Sequence, residues 1–274
     1  MKRNGLVSIV VSGLTLFASS LQAQIGFADF NGMNARVNLL VDAFISDNHR
    51  LVLTDWQQGQ RGGAFYFRKV KLNQAWSTTF VFAITPPPDS GGADGFALVI
   101  QGRRDAPEIS YDAGGSIGYG GLANSLAVEF DTWKNFDYEN FNHVAIHTRW
   151  TETNTVNQDG VIAYNGDLQI NLKDGKPHVA TVTYDGLGLL VVYLDGQEVV
   201  RASFPTDLLD DILDDGYGWI GFTAATGGQL ERHEIWSWSI NPRCFIEEDI
   251  DGNGSVDDAD LLRVLFNFGT GCES

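Results

Sequence analysis

A short segment in the middle of the chain carries acidic, aromatic, amide and imidazole side chains at intervals that suit metal binding. Glu129, Asp131 and Trp133 stand two residues apart, so an extended strand turns all three to one side. Asn135 follows at the end of the strand, and an imidazole returns at His143. Two adjacent carboxylates repel each other unless a cation lies between them, and an imidazole is a softer ligand. The pattern predicts a transition-metal site beside a calcium site; the alternative is a strand edge with solvated acids.

A second acidic segment, near the C-terminus, has the spacing of a calcium-binding loop. Counted from Asp249, oxygen-bearing side chains fall at loop positions 1, 3, 5, 9 and 12, and Gly254 occupies position 6, where such a loop turns sharply. Ser255 at position 7 would offer its backbone carbonyl. The predicted ligands are Asp249, Asp251, Asn253, Ser255, Asp257 and Asp260. The alternative is an acidic tail that binds no metal.

The segments that must position the central groups have the pattern of strands. Runs of β-branched and aromatic residues recur along the chain, as in residues 79–84, 95–100, 179–184 and 189–194. Gly, Pro and Asp clusters separate these runs. Many short strands at regular intervals predict an all-β antiparallel sandwich from residue 24 to about residue 240. Residues 206–213 are expected to form a short helical turn, and Trp236 and Trp238 to alternate across the last strand.

The first 23 residues have the order of a secretory signal peptide. Lys2 and Arg3 precede an apolar run from Leu6 to Phe17, and small residues follow up to Ala23. This run is too short to span a bilayer, and no later stretch is apolar for the roughly 18 residues that a span needs. We expect a secreted protein, extracellular or else periplasmic or at the cell surface, with no membrane span.

The net charge argues against nucleic acid as a partner. The chain has 18 basic and 35 acidic side chains, and removal of residues 1–23 takes away two basic ones and leaves a net charge of −19. Nucleic-acid binding needs the opposite sign, whereas acidic side chains hold hard cations. The charge is therefore compatible with the predicted metal sites.

Residues 241–274 differ in character from the strands before them. Asn241 and Pro242 break the final strand, and apolar residues at helical spacing follow the acidic loop. Cys244 and Cys272, the two cysteines of the chain, flank the loop, and in an exported protein such a pair predicts one disulfide. On loop entropy this bridge would contribute roughly 3 kcal/mol. We expect a small appendage that is stapled across its ends.

Five segments of the strand-rich region, taken in order, resemble the L-type (legume-type) lectins. They are residues 27–32 (FADFNG), 93–97 (ADGFA), 114–118 (GGSIG), 128–144 around the acidic strand, and 221–239, which contains GFTAATG and HEIWSWS. Together they spread over about 210 residues, which makes the combination specific although each motif alone is weak. The resemblance implies a concanavalin-like jelly-roll sandwich that binds glycans.

The resemblance also implies the residues that hold the sugar. Asp94, after a cis peptide bond to Ala93, would accept hydrogen bonds from two sugar hydroxyls. Gly115 would donate its backbone N–H where a side chain would block the ligand. Asn135 would present its side-chain amide to the same sugar, and Trp133 would lay its ring against the apolar face of the pyranose.

The choice of sugar falls, by the same resemblance, to a variable fourth loop at Gly228 and Gln229. The sequence does not indicate which sugar this loop would select. Because single sites of this kind bind weakly, multivalency in a homo-oligomer would matter.

The metal ligands follow from the same resemblance. Glu129, Asp131 and His143 would bind a transition metal such as Mn2+, with Asp131 bridging to Ca2+. Trp133 would give calcium its backbone carbonyl, and Asn135 its side-chain oxygen. The metal sites would thus lie directly behind the sugar site.

One calcium ligand of the family pattern falls where this chain is shorter. The family has an aspartate several residues after Asn135, and here Asp137 has that side-chain type. Glu139 and Asn140 stand closer to the usual distance from Asn135. We favour Asp137, with Glu139 and Asn140 as alternatives.

A glycoside hydrolase on the same sandwich is the alternative from another class. One such group places a second glutamate two or three residues after Asp131, which supplies the acid for retaining chemistry. In this chain those positions are Trp133 and Lys134. We therefore expect a non-catalytic protein. A structural or adhesive surface protein with a non-functional sugar site is the third hypothesis.

The C-terminal loop resembles a dockerin repeat. Its twelfth position is Asp260 rather than a glutamate, and residues 261–265 (LLRVL) match a dockerin helix. Dockerins that dock onto cohesins usually carry two repeats, and this chain has one. A cohesin-like or cell-surface partner and a stabilising cap both remain open.

The other histidines have no partner at a metal-binding spacing. His49, His147 and His178 are therefore expected to be surface or core histidines. The Trp and Phe residues are expected to fill mainly the core of the sandwich.

Overall fold

A computed structural model describes residues 25–89, 91–135 and 140–242. The expected signal segment, both cysteines, the predicted C-terminal calcium loop, Asp137 and Glu139 lie outside these residues. The strands are β1 (Ile25–Phe27), β2 (Val37–Val41), β3 (Phe44–Ile45), β4 (Leu51–Thr54), β5 (Arg61–Tyr66), β6 (Val70–Lys71), β7 (Trp76–Thr85), β8 (Gly95–Gln101), β9 (Ser125–Asp131), β10 (His143–Thr148), β11 (Val161–Asn165), β12 (His178–Tyr184), β13 (Leu189–Leu194), β14 (Gln197–Ser203), β15 (Tyr217–Ala225) and β16 (Arg232–Pro242).

These strands form two antiparallel sheets, which confirms the predicted all-β sandwich. In the described residues one sheet has the order β14-β13-β12-β7-β16-β4-β3, with β1 paired to β16. The other sheet has the order β11-β10-β9-β8-β15-β5-β2, with β6 paired to β15, and is called the β9 sheet below. The four runs named from the sequence correspond to β7, β8, β12 and β13.

An aromatic core joins the two sheets. Phe96 stacks on Phe130 within the β9 sheet, with ring centroids 4.9 Å apart. Phe80 of β7 meets Phe222 of β15 edge to face at the same centroid distance. All four rings are fully buried, and each contributes roughly 1.5–3 kcal/mol through removal of apolar surface from water.

The outer face of the β9 sheet is covered as well. Ala127 on that face packs in a second buried cluster with Ile117 and Tyr119, which belong to the segment between β8 and β9. Every residue of β9 is therefore buried. Since side chains alternate along a strand, Glu129 and Asp131 share the face of Ala127 and lie beneath this covering segment.

The last strand contains an irregularity that separates its two tryptophans. The pairing of β16 with β7 shifts register between Ile235 and Ser237. Trp238 is consequently buried in the core, while Trp236 is only partly buried and packs its ring under the Arg50 guanidinium at 4.1 Å. Two residues of a regular strand at this spacing would share a face, so the bulge produces the expected alternation.

The helix α1 (Leu208–Ile212) lies within the predicted helical turn and buries Leu208, Leu209 and Ile212. Among the described residues, no helix has both the length and the apolar character needed to cross a membrane.

Candidate functional site

Three predicted metal ligands meet on the outer face of the β9 sheet. Asp131 ends β9 and lies directly opposite His143, the first residue of β10, in the strand register. Nε2 of His143 lies 3.3 Å from Oε1 of Glu129 and 3.9 Å from Oδ2 of Asp131. One ligand atom from each residue lies within 4.8 Å of those of the other two, and all three side chains are buried.

The charges in this cluster are compatible with a bound cation. Burial raises the pKa of the Asp131 carboxyl well above its usual range, and the adjacent Glu129 carboxylate raises it further. For Glu129, burial acts in the same direction, but His147, His143 and Tyr119 outweigh it and the pKa falls. Two buried carboxylates side by side cost free energy that a divalent cation would offset. The donor set of two carboxylates and one imidazole fits a transition metal.

Two residues outside the set of predicted ligands support Glu129. The Tyr119 hydroxyl donates a hydrogen bond to Oε2 of Glu129. His147 is fully buried, and its Nε2 lies 3.6 Å from the same carboxylate. His147 could have been found, because it stands four positions after His143 and strand periodicity puts both imidazoles on one face. Tyr119 lies ten residues before Glu129 on a covering loop, and no spacing rule connects them.

Asp94 lies directly before β8, after a cis Ala93–Asp94 peptide bond. The side chain is 5% exposed, and its Oδ2 is buried without a hydrogen-bond partner. Two glycines border that oxygen: a β-carbon on Gly227 would lie 3.1 Å from it, and one on Gly114 would lie 3.8 Å away. Two backbone segments that carry no side chains therefore lie against this oxygen, and the place where they meet it is called the opening below.

Asn135 and Gly115 form the neighbouring side of this opening. A β-carbon on Gly115 would lie 2.8 Å from both Nδ2 and Oδ1 of Asn135, closer than a β-carbon approaches other heavy atoms. Gly115 stands in a 3-10 turn, and its neighbour Gly114 donates its N–H to the Thr226 carbonyl. The predicted Asp94, Gly115 and Asn135 are thus brought together by the loops that follow β7, β8 and β9.

The structure also describes four further predicted residues, Trp133, Gly228, Gln229 and Asn140. The Trp133 N–H donates to Oδ1 of Asp131 at 2.6 Å, and its ring meets Phe141 edge to face at 5.6 Å. Gly228 and Gln229 are exposed, and the Gly228 carbonyl accepts a hydrogen bond from the Gln58 side chain. Asn140, one of the three candidates for the remaining calcium ligand, donates its amide to the Gly166 carbonyl.

The environment of Asp94 disfavours its negative charge. Burial raises the pKa of Asp94 to about 7, and the Glu231 carboxylate adds to this rise. A hydrogen bond from the Gly227 N–H and the nearby Lys173 ammonium act in the opposite direction. When Asp94 is ionised, its carboxylate therefore lacks a hydrogen-bond donor at Oδ2.

Comparison with known proteins places the chain in a family. The family model described as the legume lectin domain matches residues 22–254. The L-type lectin-domain containing receptor kinase VIII.1 of Arabidopsis thaliana is 35% identical over 202 residues, which cover 66% of this chain and 26% of the kinase. Erythroagglutinating phytohemagglutinin of Phaseolus vulgaris is 29% identical over 252 residues, which cover 83% of this chain and 86% of the phytohemagglutinin.

The fold agrees with this relationship. A solved lectin from Bauhinia forficata in complex with GalNAc superimposes with a TM-score of 0.65 at 25% identity, over 80% of this chain and 97% of the lectin. The predicted jelly-roll sandwich is confirmed by this likeness. The receptor kinases that the chain matches are longer proteins, and the chain spans about two fifths of their length or less. This chain belongs to the legume lectin family.

Proposed function

We propose that this chain is a secreted lectin that binds glycans without catalysis, in dependence on Ca2+ and a transition metal such as Mn2+. The observation that carries the proposal is the buried Oδ2 of Asp94, which has no hydrogen-bond partner and is bordered by Gly114 and Gly227, two residues without side chains. A buried acceptor left without a donor costs about 1–3 kcal/mol, and more when it is charged. A ligand hydroxyl entering the opening would supply the donor.

A sugar suits this opening better than other hydroxyl-bearing ligands. Asp94 offers an acceptor and Asn135 an amide, while the Gly115 backbone can approach a ligand because it carries no side chain. Trp133 offers an aromatic ring for the apolar face of a pyranose. Gly228 and Gln229 lie on exposed loop backbone beside this group, where a change of loop shape would change which sugar fits. The GalNAc named for the Bauhinia lectin is a ligand of this class.

The proposed metals rest on the buried acidic cluster. Glu129, Asp131 and His143 would hold the transition metal. Asp131, the Trp133 carbonyl and Asn135 would contribute to calcium binding, together with Asp137. Bound cations would neutralise the two carboxylates and fix the segment that carries Trp133 and Asn135.

The burial of Glu129 favours a binding role over hydrolysis. Retaining glycosidases need two carboxyl groups that both reach the scissile bond. Glu129 is 1% exposed and is hydrogen-bonded to Tyr119, so it lies within the protein and not in a substrate cleft. Trp133 and Lys134 occupy the positions where the rival family carries its acid.

Two parts of the proposal rest on sequence outside the described residues. Residues 1–23 support secretion, and the loop from Asp249 to Asp260 supports a further calcium site, closed by a Cys244–Cys272 disulfide. A cohesin-like or cell-surface partner for this tail and a homo-oligomer of the sandwich belong to the same proposal. Calcium titration of the full chain tests the tail: Asp249→Ala should remove one calcium equivalent and leave glycan binding unchanged.

The main experiment is a glycan array probed with the full chain in Ca2+ and Mn2+, and again after EDTA. We expect binding to a defined glycan that is lost with EDTA and restored by the metals. Asp94→Ala should abolish binding, whereas Asp105→Ala, which removes an exposed carboxylate, should bind like the wild type. Binding that survives EDTA refutes the metal dependence, and absence of binding under all conditions refutes the lectin function.

A further inference from the structure

A buried polar cluster lies beside Asp94 and is not explained by the proposed sugar or metal ligands. Glu231, just before β16, is fully buried. Its Oε1 accepts a hydrogen bond from the Thr132 hydroxyl and lies 3.0 Å from Nε2 of His233. Its Oε2 is buried without a partner. The cluster thus concentrates negative charge close to the Asp94 carboxylate.

Lys173 supplies the positive charge of this cluster. It comes from the loop between β11 and β12, and its ammonium donates to the Thr132 carbonyl at 2.6 Å and to the Gly92 carbonyl at 3.1 Å. Burial lowers the pKa of Lys173, while Glu231, Asp131 and Asp94 raise it. A cation held between backbone carbonyls and facing three carboxylates plays the electrostatic part that a small metal ion plays elsewhere.

The two carbonyls belong to the segments that carry the proposed sugar and metal groups. Gly92 is two residues before Asp94, and Thr132 lies between Asp131 and Trp133. The Thr132 N–H donates to the Asp94 carbonyl at 3.0 Å, so the two segments already pair along their backbones. Lys173 links the two segments a second time, because its ammonium donates to a backbone carbonyl of each.

The loop that presents Lys173 is itself anchored. Asn142 accepts a hydrogen bond from the Leu172 N–H at 2.8 Å and donates one to the Ile170 carbonyl at 2.7 Å. Leu172 is fully buried, and Asn142 directly precedes His143. One short strap, residues 170–173, therefore contacts the start of β10 at one end and the Asp94 and Thr132 segments at the other.

We propose that Lys173 is a positioning residue, a tethered cation that holds the Asp94 loop against the segment after Asp131 and thereby sets the affinity for glycan. This inference rests on the proposed lectin function. Lys173 acts through the Gly92 and Thr132 carbonyls and through the charge that it places near Asp94 and Glu231. A chelator would remove the proposed metal ions from the site, but it would leave the Lys173 ammonium in place.

Three variants test the proposal in the full chain. Lys173→Met keeps the length of the side chain and removes its charge. Lys173→Arg keeps a cation that can donate to two carbonyls. Lys176→Met is the matched control, because Lys176 stands three residues later in the same loop, is 76% exposed at its side chain and pairs only with the surface carboxylate of Asp174 among the ion pairs of the described residues.

The first readout is affinity for the glycan selected on the array, measured by calorimetry with saturating Ca2+ and Mn2+. Lys173→Met should weaken binding at least tenfold, Lys173→Arg by less than threefold, and Lys176→Met not at all. A purely structural role would lower the melting temperature of Lys173→Met while the folded protein kept its wild-type affinity, and that result would overturn the proposal. Equal losses in the Met and Arg variants would also overturn it, because the charge would then be irrelevant.

The second readout needs no glycan and separates this inference from the lectin function. Amide hydrogen exchange is measured on the metal-free wild type and on the three variants. Peptides that contain Asp94 and Thr132 should exchange at least tenfold faster in Lys173→Met than in Lys176→Met, with the core strand β7 unchanged. If the wild type binds no glycan, the proposed function fails and this exchange comparison still decides the role of Lys173. Unchanged exchange at both segments overturns it.

Discussion

Asp94 should reduce the stability of the metal-free protein at neutral pH, because its buried carboxyl resists ionisation in the folded state. The pKa of Asp94 is raised from 3.8 to about 7 by burial and by Glu231. Between these two values the unfolded chain has lost the Asp94 proton and the folded chain still holds it. The folded state thus binds more protons in this window, and stability is lost as the pH rises towards 7.

The magnitude follows from the shift. Each pH unit inside the window lowers the free energy of unfolding by about 1.4 kcal/mol for this one group. From pH 5 to pH 8 the window covers about two units, so the loss from Asp94 is about 3 kcal/mol. The side chain is 5% exposed, so solvent screening reduces this little. Asp94→Asn preserves the shape and removes the titration.

The assay is urea unfolding of the wild type and Asp94→Asn in EDTA at pH 5 and pH 8. The stability of Asp94→Asn relative to the wild type should rise by about 3 kcal/mol between the two conditions, because effects of all other groups largely cancel in the difference. Asp105→Asn removes the same charge from an exposed position and controls for net charge. A difference between Asp94→Asn and wild type that is the same at both pH values refutes the reasoning.

Three further predictions concern the site. Gly115→Ala should weaken glycan binding at least tenfold in calorimetry while the circular dichroism spectrum stays unchanged, because the added methyl lies 2.8 Å from the Asn135 amide. Wild-type affinity in this variant would contradict the close approach of Gly115 to Asn135. Asp131→Asn should stabilise the metal-free protein, because it removes a carboxyl whose pKa is raised well above its usual range by burial and by Glu129. The same variant should abolish the rise in melting temperature that Mn2+ and Ca2+ produce in the wild type. A thermal shift retained in the variant would exclude Asp131 as a ligand. His147→Gln should lower the Mn2+ affinity about 10–100-fold in a chelator competition, because His147 lies against Glu129 and orients it. Lys176→Met serves as the surface control. Equal Mn2+ affinities of His147→Gln and the wild type would limit His147 to a packing role.

Much of the fold could be predicted from local pattern. The residues of β7 and β8 alternate between apolar and polar or are continuously apolar, and turn residues border them. Such patterns can be recognised from a few neighbouring residues. Glu129 and Asp131 could be placed on one face for the same reason, and the returning imidazole of His143 could be named as a candidate ligand from its residue type. The register of β10 against β9, which puts His143 opposite Asp131, depends on pairing across the sheet.

The remaining parts of the site depend on contacts between residues that lie far apart in the sequence. Lys173 meets the Gly92 carbonyl across 81 positions, and Thr132 meets Glu231 across 99. No periodicity connects such residues, since the two sheets and the loops over the β9 sheet bring them together. The opening beside Asp94 likewise appears only when Gly114 and Gly227, from different loops, lie against the same oxygen.

The most direct test of the central claim is the affinity of wild type and Asp94→Ala for the strongest glycan on the array, measured side by side with Ca2+ and Mn2+ present. We expect saturable binding by the wild type, a loss of affinity of at least a hundredfold in Asp94→Ala, and unfolding transitions that show both proteins folded. Equal affinity of the two folded proteins would contradict the central claim, because the glycan would then bind somewhere other than at the buried oxygen of Asp94.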